Sequence, residues 1–414
     1  MTAIENNLDG VPGPAAGHSV LQRLTAIDAD RFASDYWGRQ ALLTPAADLT
    51  APFADLLDSD TVDELVSERG LRTPFLRVAK NGSTLADRAF TAPGGVGAGI
   101  ADQVSDDKLV RLFADGSTLV LQGLHRVWPP IISLCQQLAA ELGHPVQANA
   151  YVTPPQNQGF SDHYDVHDVF VLQIEGEKRW RIHAPVYEAP LRDQPWTDRK
   201  TAVERRAAEP PLIEAVLRPG DCLYLPRGFL HAATALGGTS IHLTIGVHAW
   251  TRYALAEQLV GQVLHTLARE PEIRRSLPLG LDLTDPTALR AETERVRQLA
   301  ADALAGVDAD QAWLAVRQTA RSSQRAAPVG PLRQLRDATA IEPGSMINLR
   351  DHLAASLDQA GGRTLLRSRA DDLPIAEDEV PGVKSLLEAG AARAEDLGLD
   401  LARRLLLAGV AVLE

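Results

Sequence analysis

Between residues 147 and 248 the chain reads as a succession of short segments rich in β-branched and aromatic residues: QANAYV, DVFVLQIEG, KRWRIH, IEAVLRPGD, CLYLP and SIHLTIGVHAW. Gly, Pro and Asp separate them. Short strands at this spacing bury one face and turn back on themselves, which specifies antiparallel strands closed into a jelly roll or barrel. The flanking sequence has a different period. IISLCQQLAAELG (131–143) carries apolar residues at helical spacing and ends on Gly143, a residue suited to a helix C-cap. Beyond Trp250 the strand pattern stops, and YALAEQLVGQVLHTLA and PTALRAETERVRQLAADALAG follow the helical period. RSSQRAAPVGP (321–331) reads as a linker. Residues 332–414 combine strand-like pieces with two helices, PGVKSLLEAG and DLGLDLARRLLLAG.

The expected organisation is a mainly β domain over 1–250 with N-terminal helical elements, a helical unit over 251–330, and a small α+β unit of winged-helix type over 331–414. The first twenty or so residues, rich in Gly, Pro and Asn, read as a loose lead-in. A chain of 414 residues exceeds what one hydrophobic core organises, so several domains are expected. Apolar positions on several faces of the 253–324 helices point to packing against either the barrel or a second copy of the chain, the latter giving a homodimer.

Charge narrows the class of partner. A formal net charge of -13 disfavours wrapping nucleic acid, and between 331 and 414 ten Lys/Arg face fourteen Asp/Glu, so no direct DNA binding is expected there. A basic protein is the better partner electrostatically. Cys135 and Cys222, the two cysteines, both sit in apolar stretches. They read as core residues rather than a disulfide framework, in keeping with a reducing cytoplasm. No basic stretch followed by an apolar run opens the chain, and no segment reaches the roughly 20 apolar residues that span a bilayer, so no membrane partner is expected.

The local signal with most chemistry in it is His163-Tyr164-Asp165. Residues two apart on a strand share a face, so one backbone segment can aim His163 and Asp165 inward together. A third ligand must come from elsewhere. The turn Pro219-Gly220-Asp221, the strand CLYLP and the turn at Arg227-Gly228 can return the chain so that His231 completes the set. Two imidazoles and one carboxylate on one face of a metal leave adjacent positions open, as in non-haem Fe(II) oxygenases. The motif alone is a weak signal, because a chain with eleven His yields H-x-D by chance, and His167, His242 and His248 are other imidazoles nearby.

Lys178 adds an independent observation. In KRWRIH the alternation puts Lys178, Trp180 and Ile182 on one face and Arg179, Arg181 and His183 on the other. An ammonium on an apolar face near a metal asks for a carboxylate partner, the distal carboxylate of 2-oxoglutarate being one that fits; otherwise it snorkels to the barrel mouth or pairs with a protein carboxylate. In SIHLTIGVHAW, Ile241, Leu243, Ile245 and Val247 share one face and His242, Thr244, Gly246 and His248 the other. A polar face opposite an apolar one is ordinarily the solvated side; in a barrel covered outside by helices it lines the site instead, and Asn149 and Tyr151, also two apart, can point into the same cavity. His167 reads as a structural neighbour of the ligands. Gly95-Val96-Gly97-Ala98-Gly99 has neither a preceding strand nor a phosphate-binding Lys and reads as a loop. RKTAVERRAAE (199–209) reads as a solvated face or loop.

With these residues in view, NAYVTPPQNQGFSDHYDVHDVFVLQIEGEKRW (149–180) and LRPGDCLYLPRGFLHAA (217–233) resemble the JmjC-type cupin oxygenases known as ribosomal oxygenases. The order of barrel, helical dimerisation unit and winged-helix unit is similar too. The resemblance implies a double-stranded β-helix of the jelly-roll or cupin type, with His163, Asp165 and His231 as catalytic iron ligands and Fe(II) and 2-oxoglutarate as cofactor and co-substrate. It implies Lys178 as partner of the distal carboxylate, with Asn149, Thr244 and Tyr151 lining the co-substrate pocket. The implied reaction is hydroxylation of a ribosomal protein side chain, at Arg in some bacterial members and His in eukaryotic ones. Arg-directed members resemble one another in placing Arg where this chain has Lys178, so the match does not carry an Arg substrate over. Other readings of the same residues are an oxygenase acting on a non-ribosomal peptide, an N-methylated residue or a small metabolite, and a metal-binding cupin module without turnover.

Overall fold

The structure, a computed structural model, describes residues 19–80, 82–157, 160–282, 284–285 and 287–414. The expected lead-in over the first residues lies almost wholly outside them. Contacts group the backbone into two units. One runs to Ala249 and also takes in Ala326–His352 and Ala376–Glu414; the other comprises Trp250–Arg325 and Leu353–Ile375.

The main sheet of the first unit has nine strands among the described residues. Eight are labelled here: β1 Leu42–Thr44, β2 Leu76–Lys80, β3 Thr118–Leu121, β4 Val146–Thr153, β5 Asp168–His183, β6 Ile213–Leu217, β7 Cys222–Leu225 and β8 Leu230–Val247. Their order is β1-β7-β5-β8-β4-β3-β2, with β6 beside the second half of β5, and neighbours are antiparallel. The segments DVFVLQIEG and KRWRIH are two halves of one strand, β5. Gly176 joins them at φ 63°, where a Cβ would come within 2.1 Å of the Thr239 carbonyl oxygen, so only glycine fits. The ladder with β8 shifts register at the same level, between Leu236 and Ile241. Gln173, fully buried, donates from Nε2 to the Glu175 and Ile241 carbonyls and to Ser240 Oγ, satisfying groups that the irregularity leaves unpaired.

One face of this sheet carries the main core. Helix α1 (Pro129–Leu142) starts on Pro129-Pro130, ends at Gly143 in the left-handed conformation, and buries Ile131, Leu134, Cys135, Leu138 and Ala139, spaced as one helical face. These residues pack with Ala148, Ala150 and Val152 of β4 and with Ile241, Leu243, Ile245 and Val247 of β8. The expected apolar face of β8 is therefore the helix-facing one. Cys135 and Cys222 are buried and free. A second apolar cluster, including Val169, Val171, Trp180, Leu223 and Leu225, lies on the opposite face. The segment 199–209 forms helix α2 (Lys200–Ala207), mostly solvated with Val203 buried beneath it.

His183 is buried. It shares the outward face with Arg179 and Arg181, yet it is only 1% exposed. The end of β5 lies near Asp162, Arg206 and Glu209, whose charges act on its ring.

Within the same unit, helix Pro331–Ala340 packs on Leu399–Leu407, and a three-stranded sheet joins Met346–Leu349 to Ala391–Arg393 and Ala411–Leu413. Gln334 ties them, donating to the Leu406 and Ala411 carbonyls at 2.9 and 2.8 Å. The second unit holds helices α3 (Arg252–Leu267), α4 (Arg290–Ala305) and α5 (Ala309–Ser323) together with strands Ser356–Ala360, Arg363–Arg367 and Asp372–Ile375. This grouping differs from a three-part division at 250 and 330. The three strands group with the helices because Arg317 pairs with Asp358 at 3.3 Å and Arg321 donates to Ser356 Oγ at 2.7 Å, links between residues far apart in sequence.

Candidate metal and co-substrate site

On the face of the sheet opposite α1, His163, Asp165 and His231 converge, each offering one ligand atom and all of these within 4.8 Å of one another. The arrangement is set by backbone. The His163 and His231 backbones exchange both hydrogen bonds, N–H to O at 3.2 and 2.9 Å, in an isolated bridge between β8 and the segment that carries Asp165. Gly228 N–H donates to the Asp165 carbonyl at 3.0 Å, joining the turn before His231 to the segment that carries the carboxylate. Gly228 sits at φ 89°, and a Cβ there would meet the Tyr187 carbonyl oxygen at 2.6 Å.

Side-chain contacts then fix which nitrogens face the centre. His163 Nδ1 lies 2.7 Å from the Ser161 carbonyl oxygen and His231 Nδ1 3.1 Å from that of Phe229. A carbonyl only accepts, so each Nδ1 carries a proton and each Nε2 is the nitrogen turned to the centre. His231 Nε2 is 3.6 Å from Asp165 Oδ2. Burial, reinforced by His163, pushes His231 down to about 4, so it is neutral at pH 7. Burial raises the Asp165 carboxyl, but His167, His231, His163 and Arg77 together hold it below the usual carboxylate range. Two imidazoles and one carboxylate around a common point form a donor set for a divalent cation of borderline hardness.

The cavity runs from these residues past Tyr151, Trp180, His242 and Thr244 to Lys178. Lys178 is 3% exposed. Its Nζ donates to Thr153 Oγ1 at 3.2 Å and lies 3.4 Å from His242 Nδ1, and among the described residues no carboxylate pairs with it. Burial alone pushes its ammonium down to about 7. His242 is held well below its ordinary value by burial and by Lys178, so it is a neutral acceptor. Its ring stacks on Tyr151, centroids 4.9 Å apart and planes within 6°. At the other end Phe160 and Trp196 flank the His163 ring at 6.0 and 6.4 Å.

Of the residues singled out in the sequence, His163, Asp165, His231, Lys178, Tyr151 and Thr244 share this cavity. Asn149 does not: its Oδ1 accepts from Gly123 N–H at 3.0 Å, and it is not among the cavity's lining residues. Gly123 at φ 66° opens a turn whose amide needs an acceptor, and Asn149 supplies it. His167 stacks on His248 at 5.0 Å and packs over Gly246, where a Cβ would meet its ring at 2.7 Å. His242 lies on the face of β8 expected to line the site, whereas Thr118 and Thr153 are parts of the site not singled out in the sequence. Thr153 continues the alternation of Asn149 and Tyr151 and was legible in that way; Thr118, which donates to Thr153 at 3.3 Å, carried no local signal.

Residues 126–255 match the JmjC domain family model, and the sheet and its cavity make this a JmjC domain of cupin fold. The chain is homologous to proteins named bifunctional lysine-specific demethylase and histidyl-hydroxylase NO66. It is 38% identical to that of Drosophila persimilis over 151 residues, 36% of this chain and 21% of the relative. It is 31% identical to that of Drosophila grimshawi over 264 residues, 62% of this chain and 34% of the relative. The chain thus spans a fifth to a third of the length of these two relatives. Among solved structures it is similar to the Escherichia coli ribosomal oxygenase YcfD, with a TM-score of 0.56 at 17% identity over 94% of this chain and 98% of that one. The same TM-score is found with YcfD in complex with cobalt and 2-oxoglutarate. At that identity the likeness speaks to the fold.

Proposed function

We propose that this chain is an Fe(II)- and 2-oxoglutarate-dependent dioxygenase that hydroxylates a protein side chain, with a ribosomal protein as the substrate class. The observation that carries the reading is the pairing, in one cavity, of the His163, Asp165 and His231 donor set with a buried Lys178 ammonium that has no protein carboxylate beside it among the described residues. A buried cation without a counter-ion is costly, and a dicarboxylate bridging metal and ammonium removes that cost.

In this reading His163 and His231 present Nε2 and Asp165 a carboxylate oxygen to the iron. Bound with 2-oxoglutarate, Fe(II) supplies the power to place one atom of dioxygen in a C–H bond, with succinate and carbon dioxide as coproducts. Lys178 and Thr153 bind the distal carboxylate. Tyr151, His242 and Trp180 wall the cavity and exclude water, and Phe160 and Trp196 shape the entrance beside His163. The net charge of -13 suits a basic partner.

Further parts of the reading concern the rest of the chain. Residues 251–330 serve as a dimerisation unit: Tyr253, Val260 and Leu264 on α3 and Trp313 on α5 are half-exposed apolar side chains. The part of residues 331–414 outside 353–375 serves as a winged-helix-like unit. No described helix is long and apolar enough to cross a membrane, and a cytoplasmic location fits the buried free cysteines.

The test incubates the iron-loaded protein with 2-oxoglutarate and extracted ribosomal proteins and looks by mass spectrometry for a peptide that gains one oxygen atom. Such a peptide is expected; none from any ribosomal protein contradicts the substrate class. The demethylase part of the NO66 name favours a second reading, hydroxylation of an N-methyl group, which would instead release formaldehyde from a methyl-lysine peptide.

A further inference from the structure

Beside the metal-binding constellation lies a carboxylate that takes no part in it. Asp168 is three residues past Asp165 and fully buried. Its Oδ2 accepts from the Tyr224 hydroxyl at 2.9 Å, and its Oδ1 accepts from Arg227 N–H at 3.0 Å and from Arg227 Nη1 at 3.3 Å. Tyr224 is itself fixed, since its hydroxyl accepts from Gly38 N–H at 2.9 Å.

The position in the ladder gives this cluster its meaning. The pairing of β5 with β7 ends at Val169 and Leu225. Beyond it Pro226 has no N–H to offer, and the regular ladder stops before the two segments pair again at His163 and His231. The Asp168 carboxylate accepts the next amide, that of Arg227, and so stands where a backbone acceptor would otherwise continue the ladder. One residue further on, Gly228 N–H reaches the Asp165 carbonyl. The segment carrying Asp165 and the turn leading to His231 are thus joined by two adjacent rungs, one of them a side chain. An amide in place of the carboxylate would offer one acceptor oxygen instead of two to three donors, and would leave the Arg227 guanidinium, 17% exposed, without its counter-charge.

We propose that Asp168 is a positioning residue for the metal centre: by clasping Arg227 it sets the separation of Asp165 from His231 that a divalent cation requires. The role rests on the metal reading given above. It works through two ligands at once, since the carboxylate touches neither.

The experiment compares the full-length wild type, Asp168→Asn and Tyr224→Phe, stripped of metal and titrated with Co(II) by calorimetry, with thermal melting of the apo proteins and the visible spectrum of the Co(II) forms. Loss of a partner that orients ligands typically lowers metal affinity about 10- to 100-fold. Asp168→Asn is expected to melt as a folded protein, bind Co(II) more weakly by about that factor, and give a Co(II) spectrum of altered shape. Tyr224→Phe, which keeps the clasp on Arg227, is expected to lose less. A folded Asp168→Asn that binds Co(II) like wild type with the same spectrum overturns the role. Should Asp168→Asn fail to fold, Asp168→Glu decides: it keeps the charge beside Arg227 but displaces the carboxylate, so weaker Co(II) binding supports the role and wild-type binding overturns it. A wild type that binds no Co(II) overturns the metal reading itself, and the wild-type titration separates that result from failure of the Asp168 role alone.

Discussion

Val171 and Lys178 line the same cavity from one strand although seven residues separate them, an odd interval that regular alternation would send to opposite faces. The irregularity at Gly176 makes up the difference. A matching switch occurs in β8, where His231 and His242 meet the same cavity eleven residues apart with the register shifts between them. The metal end and the ammonium end of the cavity face each other because both strands change parity at the same level.

Gly176→Ala follows directly. The positive φ disfavours any side chain, and the added Cβ would run into the Thr239 carbonyl at 2.1 Å, a backbone atom that cannot simply turn away. A loss of roughly 1–3 kcal/mol or more is expected from such strain, read as a lower midpoint in chemical denaturation. The 2-oxoglutarate requirement should rise with it as Lys178 leaves its place. An unchanged midpoint would contradict this account of the bulge.

Lys178 gives the site a pH dependence. Burial pushes the ammonium down to about 7, so the charged fraction of the free protein falls as pH rises through that value. Binding a carboxylate needs the charged form. Affinity for 2-oxoglutarate should therefore weaken steadily above about pH 7, with uptake of a proton on binding in that range, and Lys178→Ala should raise the 2-oxoglutarate requirement and flatten the dependence. Titration calorimetry in buffers of different ionisation enthalpy reads the proton uptake directly; none would place the anchor elsewhere.

The helical unit makes a separate prediction. Val260 and Leu264, one turn apart on α3, are 55% and 61% exposed. If they form a contact with a second copy, Leu264→Glu shifts the sedimenting mass of the wild-type dimer towards the monomer without lowering the melting temperature of the monomer fold. A wild type that sediments as a monomer contradicts the dimer.

Both halves of β5 and the second half of β8 are legible because each alternates correctly within itself, so the parity change does no harm to them; the first half of β8 is not among the strand-like segments. The parity change was also invisible, since Gly176 reads like any strand glycine until the Thr239 carbonyl is seen against it. Lys178 was readable as inward because Trp180 and Ile182 share its face, whereas Thr118 comes from a strand remote in sequence and only the β3–β4 pairing brings it near. For Asn149 alternation gives a face and not a partner: the Gly123 amide donates to its Oδ1. His183 shows a related point, that the outward face of a strand is solvated only where nothing covers it.

The central claim is that His163, Asp165 and His231 hold an iron that turns over 2-oxoglutarate. The most direct measurement is succinate formed from 2-oxoglutarate by the Fe(II)-loaded wild type and by Asp165→Ala, with folding of both checked by circular dichroism. The wild type should form succinate even without a protein substrate, and the variant, left with two imidazoles and an incomplete donor set, should lose about 10-fold to 100-fold or more. Equal succinate from the two proteins, or none from a wild type that binds the metal, would contradict the account.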